Sequence, residues 1–169
     1  MEIPEKLVAA YNDQITLELT AETVYRQLGI ELDALDLPGM ASWMRIQAEE
    51  EITHANKFIN HVLDRGGHPT IHTIEIGEVK VASPVEAFQA SLDHERRVSE
   101  SIRNLYRLAR ELDDIDSFPL LHTFVAEQVE EEATVSEIIG RIEMIDDDGP
   151  GLLELDSELG SRKPFAVEG

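Results

Sequence analysis

Four stretches of the chain repeat apolar residues at steps of three and four, the period of one helix face. In the first, from about Pro4 to Asp33, the repeating face is Leu7, Tyr11, Gln14, Glu18, Ala21, Tyr25 and Leu28. In the second, from about Met40 to Arg65, it is Met40, Met44, Gln47, Glu51, His54, Phe58 and Val62. The third opens at Ser83-Pro84-Val85-Glu86 and runs to about Leu112, with Phe88, Leu92, Glu95, Val98, Ile102, Leu105 and Ala109 on one side. The fourth, from about Ser117 to Ile145, shows Leu121, Phe124, Gln128, Glu131, Val135, Ile138, Ile142 and Ile145. Each apolar face is broken near its centre by a carboxylate: Glu18, Glu51, Glu95 and Glu131.

The punctuation between these stretches supports helices. Ser83 with Glu86 three residues on is a capping box, and Pro84 suits the first helical turn. Asp36-Leu37-Pro38-Gly39, Gly66-Gly67 and Asp146-Asp147-Asp148-Gly149-Pro150 are turn and stop signals. Residues from about Gly67 to Ser83 lack helical period, and Ile71, Ile74, Ile76, Val79 and Val81 predict an extended strap lying on the bundle. A short amphipathic piece, Leu152 to Leu159, follows the fourth helix. Residues 1–160 read as one domain, and 161–169 as a flexible C-terminal tail.

Connection lengths then fix the topology. A helix of about 25 residues is roughly 38 Å long, while a five-residue linker reaches at most ~17 Å. Helices one and two must therefore be antiparallel, and so must three and four. The strap can reach up to ~56 Å, the whole bundle length, so helices two and three can run parallel. The fold class is all-α: a four-helix bundle with one long crossover and a short C-terminal fifth helix.

Composition narrows the chemistry. The net charge is −21, from 35 acidic and 14 basic residues. Phosphate binding needs a basic patch, so nucleic acid and anionic membrane surfaces are excluded as natural partners. Cations are favoured, with adaptation to a saline cytoplasm as the bland alternative. The absence of cysteine excludes disulfides, iron–sulfur clusters and thiol chemistry. The N-terminus lacks a signal-peptide apolar core and no apolar run is long enough to span a membrane. A cytoplasmic location is expected.

In a packed bundle the helix centres meet, so Glu18, Glu51, His54, Glu95 and Glu131 should converge, with Gln128 beside them. Glu51 and His54 are three residues apart and share one helix face. Four buried carboxylates repel, and each costs several kcal/mol to desolvate even after relaxation. Two divalent cations would balance four negative charges, and oxygen-rich ligation with one imidazole suits Fe²⁺ or Mn²⁺. A lone Glu-x-x-His pair is commonplace on solvated helices. Four breaks at one height are not.

At this point the sequence resembles the bacterial haem-free ferritins over nearly its whole length. The matching stretches are Leu17-Glu18-Leu19 through Tyr25, Ala48-Glu49-Glu50-Glu51-Ile52-Thr53-His54, His94-Glu95, and Ala126-Glu127-Gln128-Val129-Glu130-Glu131-Glu132. The resemblance implies a ferritin-like bundle acting as a ferroxidase. Fe²⁺ is oxidised by O₂ or hydrogen peroxide at an intrasubunit diiron centre, and ferric mineral collects in a hollow homo-oligomeric shell, a 24-mer. By position, Glu18, Glu51 and His54 would hold the first iron. Glu51, Glu95 and Glu131 would hold the second, with Glu51 bridging and Gln128 toward bound oxygen. Glu50, Glu127 and Glu130 match a third, weaker iron site. Tyr25 matches the tyrosine beside the centre.

Two departures exclude the haem-binding relatives. Ile52 stands where they carry methionine, and Gln128-x-x-Glu131 replaces their second Glu-x-x-His. Thr123 stands where some relatives have a tryptophan. Asp113, Asp114 and Asp116, between helices three and four, correspond to a corner near the shell's three-fold pores, where they would attract Fe²⁺ if they are not simply solvated. His61, His68, His72, His94 and His122 are expected to be surface or packing residues. The alternative reading within the same chemistry is a diiron or dimanganese bundle that reduces peroxide without storing metal. A non-catalytic acidic scaffold is the alternative outside it.

Overall fold

A computed structural model describes residues 2–164. Five helices follow in order: α1 (Glu5–Ala34), α2 (Pro38–Asp64), α3 (Pro84–Glu111), α4 (Phe118–Ile145) and α5 (Gly149–Gly160). A single 3-10 turn, Ile115–Ser117, precedes α4. Among the described residues no helix is long and apolar enough to cross a membrane.

The caps follow the expected chemistry. Ser83 accepts from the Glu86 backbone N–H at 3.3 Å, and the Glu86 carboxylate returns to the Ala82 N–H at 2.8 Å, one residue earlier than a capping box reaches. Three helix corners turn through the left-handed region on aspartates, with φ of 60° at Asp36 and 53° at Asp113 and Asp146. Asp tolerates that region better than most residues because its short side chain bonds locally. Asp113 is therefore a turn residue before it is anything else. Asp114 is 5 % exposed and takes a fork of hydrogen bonds from Arg65, one of them 2.8 Å from Nη1. It ties the end of α2 to the α3–α4 corner rather than facing solvent.

Two apolar cores lie at opposite ends of the bundle. One joins Leu28 and Leu32 of α1, Met40 and Met44 of α2, Phe88 of α3 and Ile142 of α4. The other joins Leu7 and Tyr11 of α1, Phe58 of α2, Ile102 and Leu105 of α3, and Phe124 of α4. The first halves of α2 and α3 thus share an end, so these helices are parallel, while α1–α2 and α3–α4 are antiparallel hairpins. This is the topology expected from the linker lengths. The intervening strap has no regular secondary structure. It is tied to α1 by the Thr70 N–H to Asn12 Oδ1 and the His72 N–H to Thr16 Oγ1, both 2.9 Å. Val79 and Val81 pack on the bundle, whereas Ile71 and Ile74 stay 53 % and 39 % exposed.

The fifth helix is longer than the sequence suggests. Gly149 and Pro150, expected to be a stop, form its first turn, with Asp148 as N-cap accepting from the Gly151 N–H. It packs against the start of α2. There the buried Asp156 carboxylate accepts from the Gly39 N–H at 3.0 Å and the Met40 N–H at 2.8 Å. It thus caps α2 from another helix and faces the positive end of its dipole. The approach demands glycine: a Cβ at Gly39 would lie 1.8 Å from the Asp156 carbonyl oxygen. Of the expected tail at 161–169, residues 165–169 lie outside the described residues.

Candidate metal centre

Between the two apolar cores lies a polar layer. Four helices deliver it because each polar break sits where the helices are equidistant from their ends. Glu18 of α1, Glu51 and His54 of α2, Glu95 of α3 and Gln128 of α4 are all at most 3 % exposed. Glu131 is half-buried. The donor atoms of Glu18, Glu51 and His54 all lie within 4.8 Å of one another, the one such group of three among the described residues.

That trio has atoms to spare. Glu18 Oε2 and His54 Nδ1 are buried without a hydrogen-bond partner among the described residues. Buried polar atoms are nearly always satisfied, so these two fit a cation held between them. Glu18 Oε1 accepts from Gln14 Nε2 at 2.7 Å. His54 Nδ1 lies 3.4 Å from Glu51 Oε2, and its Nε2 lies 3.6 Å from Glu127 Oε2 and 3.9 Å from Glu50 Oε1. The imidazole is pinned edge-on against Phe124, with ring centroids 5.1 Å apart.

The carboxylates across the layer are held differently. Glu95 accepts from the Tyr25 hydroxyl and from Gln128 Nε2 at 3.0 Å. Tyr25 also pairs with Ser91 Oγ at 2.9 Å, and Gln128 Nε2 reaches Ser99 Oγ at 3.3 Å. Glu131 Oε2 accepts from Gln47 Nε2 at 3.1 Å, and the same nitrogen lies 3.3 Å from Glu51 Oε1. One amide of α2 thus spans carboxylates of α2 and α4. The carboxylate oxygens of Glu51, Glu95 and Glu131 are not gathered as tightly as the ligand atoms of the first trio.

Crowding sets the protonation. Burial, then the Glu51 charge, raises Glu18 well above the usual carboxylate range. The same two causes push Glu95 up to about 8 and raise Glu131. Burial alone would raise Glu51, but the adjacent His54 outweighs it and holds Glu51 low. Burial also opposes charge on His54, yet Glu51, Glu18 and Glu50 prevail and raise it to about 10. Protons thus balance much of this layer when no cation does: one ion pair, Glu51 with His54, beside Glu18 and Glu95 kept neutral. Tyr25 is raised by burial and then by Glu95, so its hydroxyl stays protonated.

The three carboxylates matched to a weaker site are separately engaged. Glu50 Oε2 pairs with Arg162 Nη2 at 3.2 Å, Glu127 Oε1 with Lys57 Nζ at 3.3 Å, and Glu130 is exposed. Burial, then Glu131, raises Glu50 to about 8. Among the other histidines, His94 is buried behind Tyr25, edge-on at 6.4 Å, and His61 sits 3.0 Å from Ser117 Oγ at the far end of the bundle.

Sequence reasoning assigned no role to Gln14, Gln47, Ser91, Ser99 or Arg162. A signal existed for two of them. Gln14 and Gln47 each stand one helical turn before a site glutamate, on the same face, where an i,i+4 amide can donate to it. Ser91, Ser99 and Arg162 act across helices, and no spacing along the chain marks them.

Comparison with known proteins agrees with the geometry. Residues 8–145 match the model of the ferritin-like domain family. A bacterial non-heme ferritin of Bacteroides fragilis is 34 % identical over 160 residues, covering 95 % of this chain and 99 % of that protein. One of Escherichia coli is 30 % identical over 156 residues, covering 92 % and 94 %. The crystal structure of an open-pore ferritin from the archaeon Archaeoglobus fulgidus superposes with a TM-score of 0.93 at 36 % identity, covering 96 % of this chain and all of that one. A full-length bundle of this topology, with its polar layer at mid-height and relatives this similar, belongs to the ferritin family, among proteins resembling the bacterial non-haem ferritins.

Proposed function

We propose that the protein is an iron-storage ferritin that oxidises Fe²⁺ at the mid-height layer and keeps the ferric product in a hollow shell of its own copies. The observation that carries this reading is the buried trio Glu18, Glu51 and His54, whose ligand atoms lie within 4.8 Å of one another and two of which lack a hydrogen-bond partner among the described residues. Iron is the substrate. Glu18, Glu51 and His54 receive the first ion. Glu51, Glu95 and Glu131 receive the second, with Glu51 shared. Four carboxylates and two Fe²⁺ then balance in charge, and the protons held on Glu18, Glu95 and His54 leave as iron binds.

The overall step balances as 2 Fe²⁺ + O₂ + 2 H⁺ → 2 Fe³⁺ + H₂O₂. With peroxide as oxidant, 2 Fe²⁺ + H₂O₂ + 2 H⁺ gives 2 Fe³⁺ and two waters. The chain's own residues orient and charge-match. Gln14 and Gln47 fix the first two glutamates, and Tyr25 and Gln128 fix Glu95. Tyr25, held protonated beside Glu95, is placed to donate a hydrogen bond, and the apolar cores on either side exclude bulk water. Ile52 gives no haem ligand where haem-binding relatives carry methionine, and Gln128-x-x-Glu131 stands where they have a second Glu-x-x-His. Glu50, Glu127 and Glu130, matched to a weaker third iron, lie beside this layer with Glu50 paired to Arg162 and Glu127 to Lys57.

Storage needs a shell. Exposed apolar side chains at Ile71, Ile74, Met144 and Leu153 support contacts with further copies. A 24-mer of 19.0 kDa chains would elute above ~400 kDa. A species of about 40–80 kDa would favour the non-storing peroxidase-type bundle. Aerobic addition of Fe²⁺ tests the chemistry. Ferric absorbance should grow faster than in a Glu51→Ala, His54→Ala variant, and equal rates would reject the ferroxidase.

A further inference from the structure

Two residues beyond the end of α5, Arg162 turns back onto α2. Its guanidinium lies 4.6 Å over the Trp43 ring, Nη1 donates to Gln47 Oε1 at 2.9 Å, and Nη2 donates to Glu50 Oε2 at 3.2 Å. The arrangement is enclosed: side-chain exposure is 20 % for Arg162 and 12 % for Glu50, and Gln47 is fully buried. A planar fork that stacks on an aromatic ring while its two ends bond different groups is a geometry lysine cannot copy.

Two consequences follow from the chemistry of these groups. An amide has one accepting and one donating end. With its oxygen taken by Arg162, Gln47 must turn its NH₂ toward Glu51 and Glu131. The flipped amide would set NH₂ against a guanidinium and an oxygen against two carboxylates. Glu50 meanwhile has its cation supplied from the chain itself. Delivery of Arg162 depends on the docking of α5, which Asp156 secures by capping α2 while Leu155 and Leu159 bury their side chains.

We propose that Arg162 is a positioning residue of the metal centre: a built-in cation that fills the place beside Glu50 and aims the Gln47 amide at Glu51 and Glu131. It acts through these residues, and its contacts with Gln47, Glu50 and Trp43 are with none of the first trio. The C-terminal helix is thereby coupled to the metal layer, and the third cluster is closed to a metal ion while Arg162 is seated.

The proposal rests on the metal centre argued above, and one experiment separates the two. Apo protein is titrated anaerobically with Co²⁺ by calorimetry and by its visible spectrum, for the full chain, Arg162→Met, Arg162→Gln and Arg162→Lys. The unaltered chain should bind two Co²⁺ per subunit. Fewer would overturn the metal centre itself. Arg162→Met and Arg162→Gln should each bind one Co²⁺ more than the unaltered chain, with a shifted spectrum for the first two ions. Arg162→Lys should keep the original count because it keeps the charge. Adding Glu50→Gln to Arg162→Met should remove the extra ion. An unchanged count and spectrum in both neutral variants, or an extra ion that survives Glu50→Gln, would overturn the role of Arg162. So would three ions bound by the unaltered chain. Arg162 lies outside every helix and the α5 anchor at Asp156 does not involve it, so each variant should keep the helical bundle and a cooperative melt, which circular dichroism checks.

Discussion

On the α1–α2 side of the polar layer, Glu18 Oε2 and His54 Nδ1 are buried and lack a hydrogen-bond partner among the described residues. On the α3–α4 side, Glu95 takes Tyr25 and Gln128, and Glu131 takes Gln47. Both sides carry buried carboxylates, yet only the first leaves donor atoms open toward one point. The difference has a physical origin. The first trio comes from one hairpin, where Glu51 and His54 are helix neighbours and a short loop fixes Glu18 against them. The second set must be assembled across helices joined through the strap, and hydrogen bonds hold its members in place. In the proposed centre, the first half has its ligand atoms already gathered and must give up only the Glu51–His54 pair, whereas the second must exchange hydrogen bonds to take a cation.

The largest effect should come from removing Glu51, which the proposed centre shares between its two halves. Glu51→Gln should lower aerobic Fe²⁺ oxidation by about 100-fold or more, beyond the 10–100-fold typical of lost outer-shell partners. Stopped-flow absorbance checks it, and a near-normal rate would mean that Glu51 is not shared. Next, Tyr25→Phe or Gln128→Ala should weaken binding of the second Co²⁺ by about tenfold and leave the first unchanged. If calorimetry finds the first ion weakened equally, the two halves are not distinct.

A third test uses protons. Glu18 is raised, Glu95 and Glu50 to about 8, and His54 to about 10. The stability these groups contribute is complete below their unfolded values, about 4.3 for Glu and about 6.5 for His. It is lost as pH climbs through the folded values. Glu51, held low, acts in the opposite sense and matters only in acid. Apo protein should therefore lose melting temperature from pH 5 to pH 9, and Zn²⁺ should flatten that slope by replacing the protons. A slope that Zn²⁺ leaves untouched would detach the titration from the site.

The smallest effect on the centre is expected at the bundle end. Asp114→Asn breaks the pair with Arg65, whose side chains are 3 % and 9 % exposed, and should cost about 3 kcal/mol of stability. Iron oxidation should be unchanged. Asp114 is held below the usual carboxylate range, chiefly by Arg65, so its contribution is present at neutral pH and disappears in acid. Denaturant melts at pH 7 and pH 3 should show a smaller mutational loss at the second than at the first.

Much of this was legible along the chain. Helix boundaries fell within a few residues, because Pro4, Pro38, Ser83-Pro84 and the aspartate corners are local signals. The carboxylates of the layer could be named because a charge inside an apolar repeat is conspicuous. Less legible were the groups that hold them. Ser91 and Ser99 are small polar residues that read as ordinary helix surface. Asp114 looked like part of a solvated acidic corner until Arg65, far away in sequence, was found beside it.

The sequence by itself determined the helices, their parallel and antiparallel order and the height at which the charges meet. Periodicity, caps and linker reach are properties of short segments, and each is encoded where it acts. Only the tertiary structure decided which carboxylates keep open donor atoms and which are hydrogen-bonded. It alone showed that Asp156 caps a helix to which it does not belong, and that Arg162, expected in a loose tail, reaches back to Gln47 and Glu50. These are contacts between residues more than a hundred positions apart, and a partner that arrives through folding leaves no period or spacing to read.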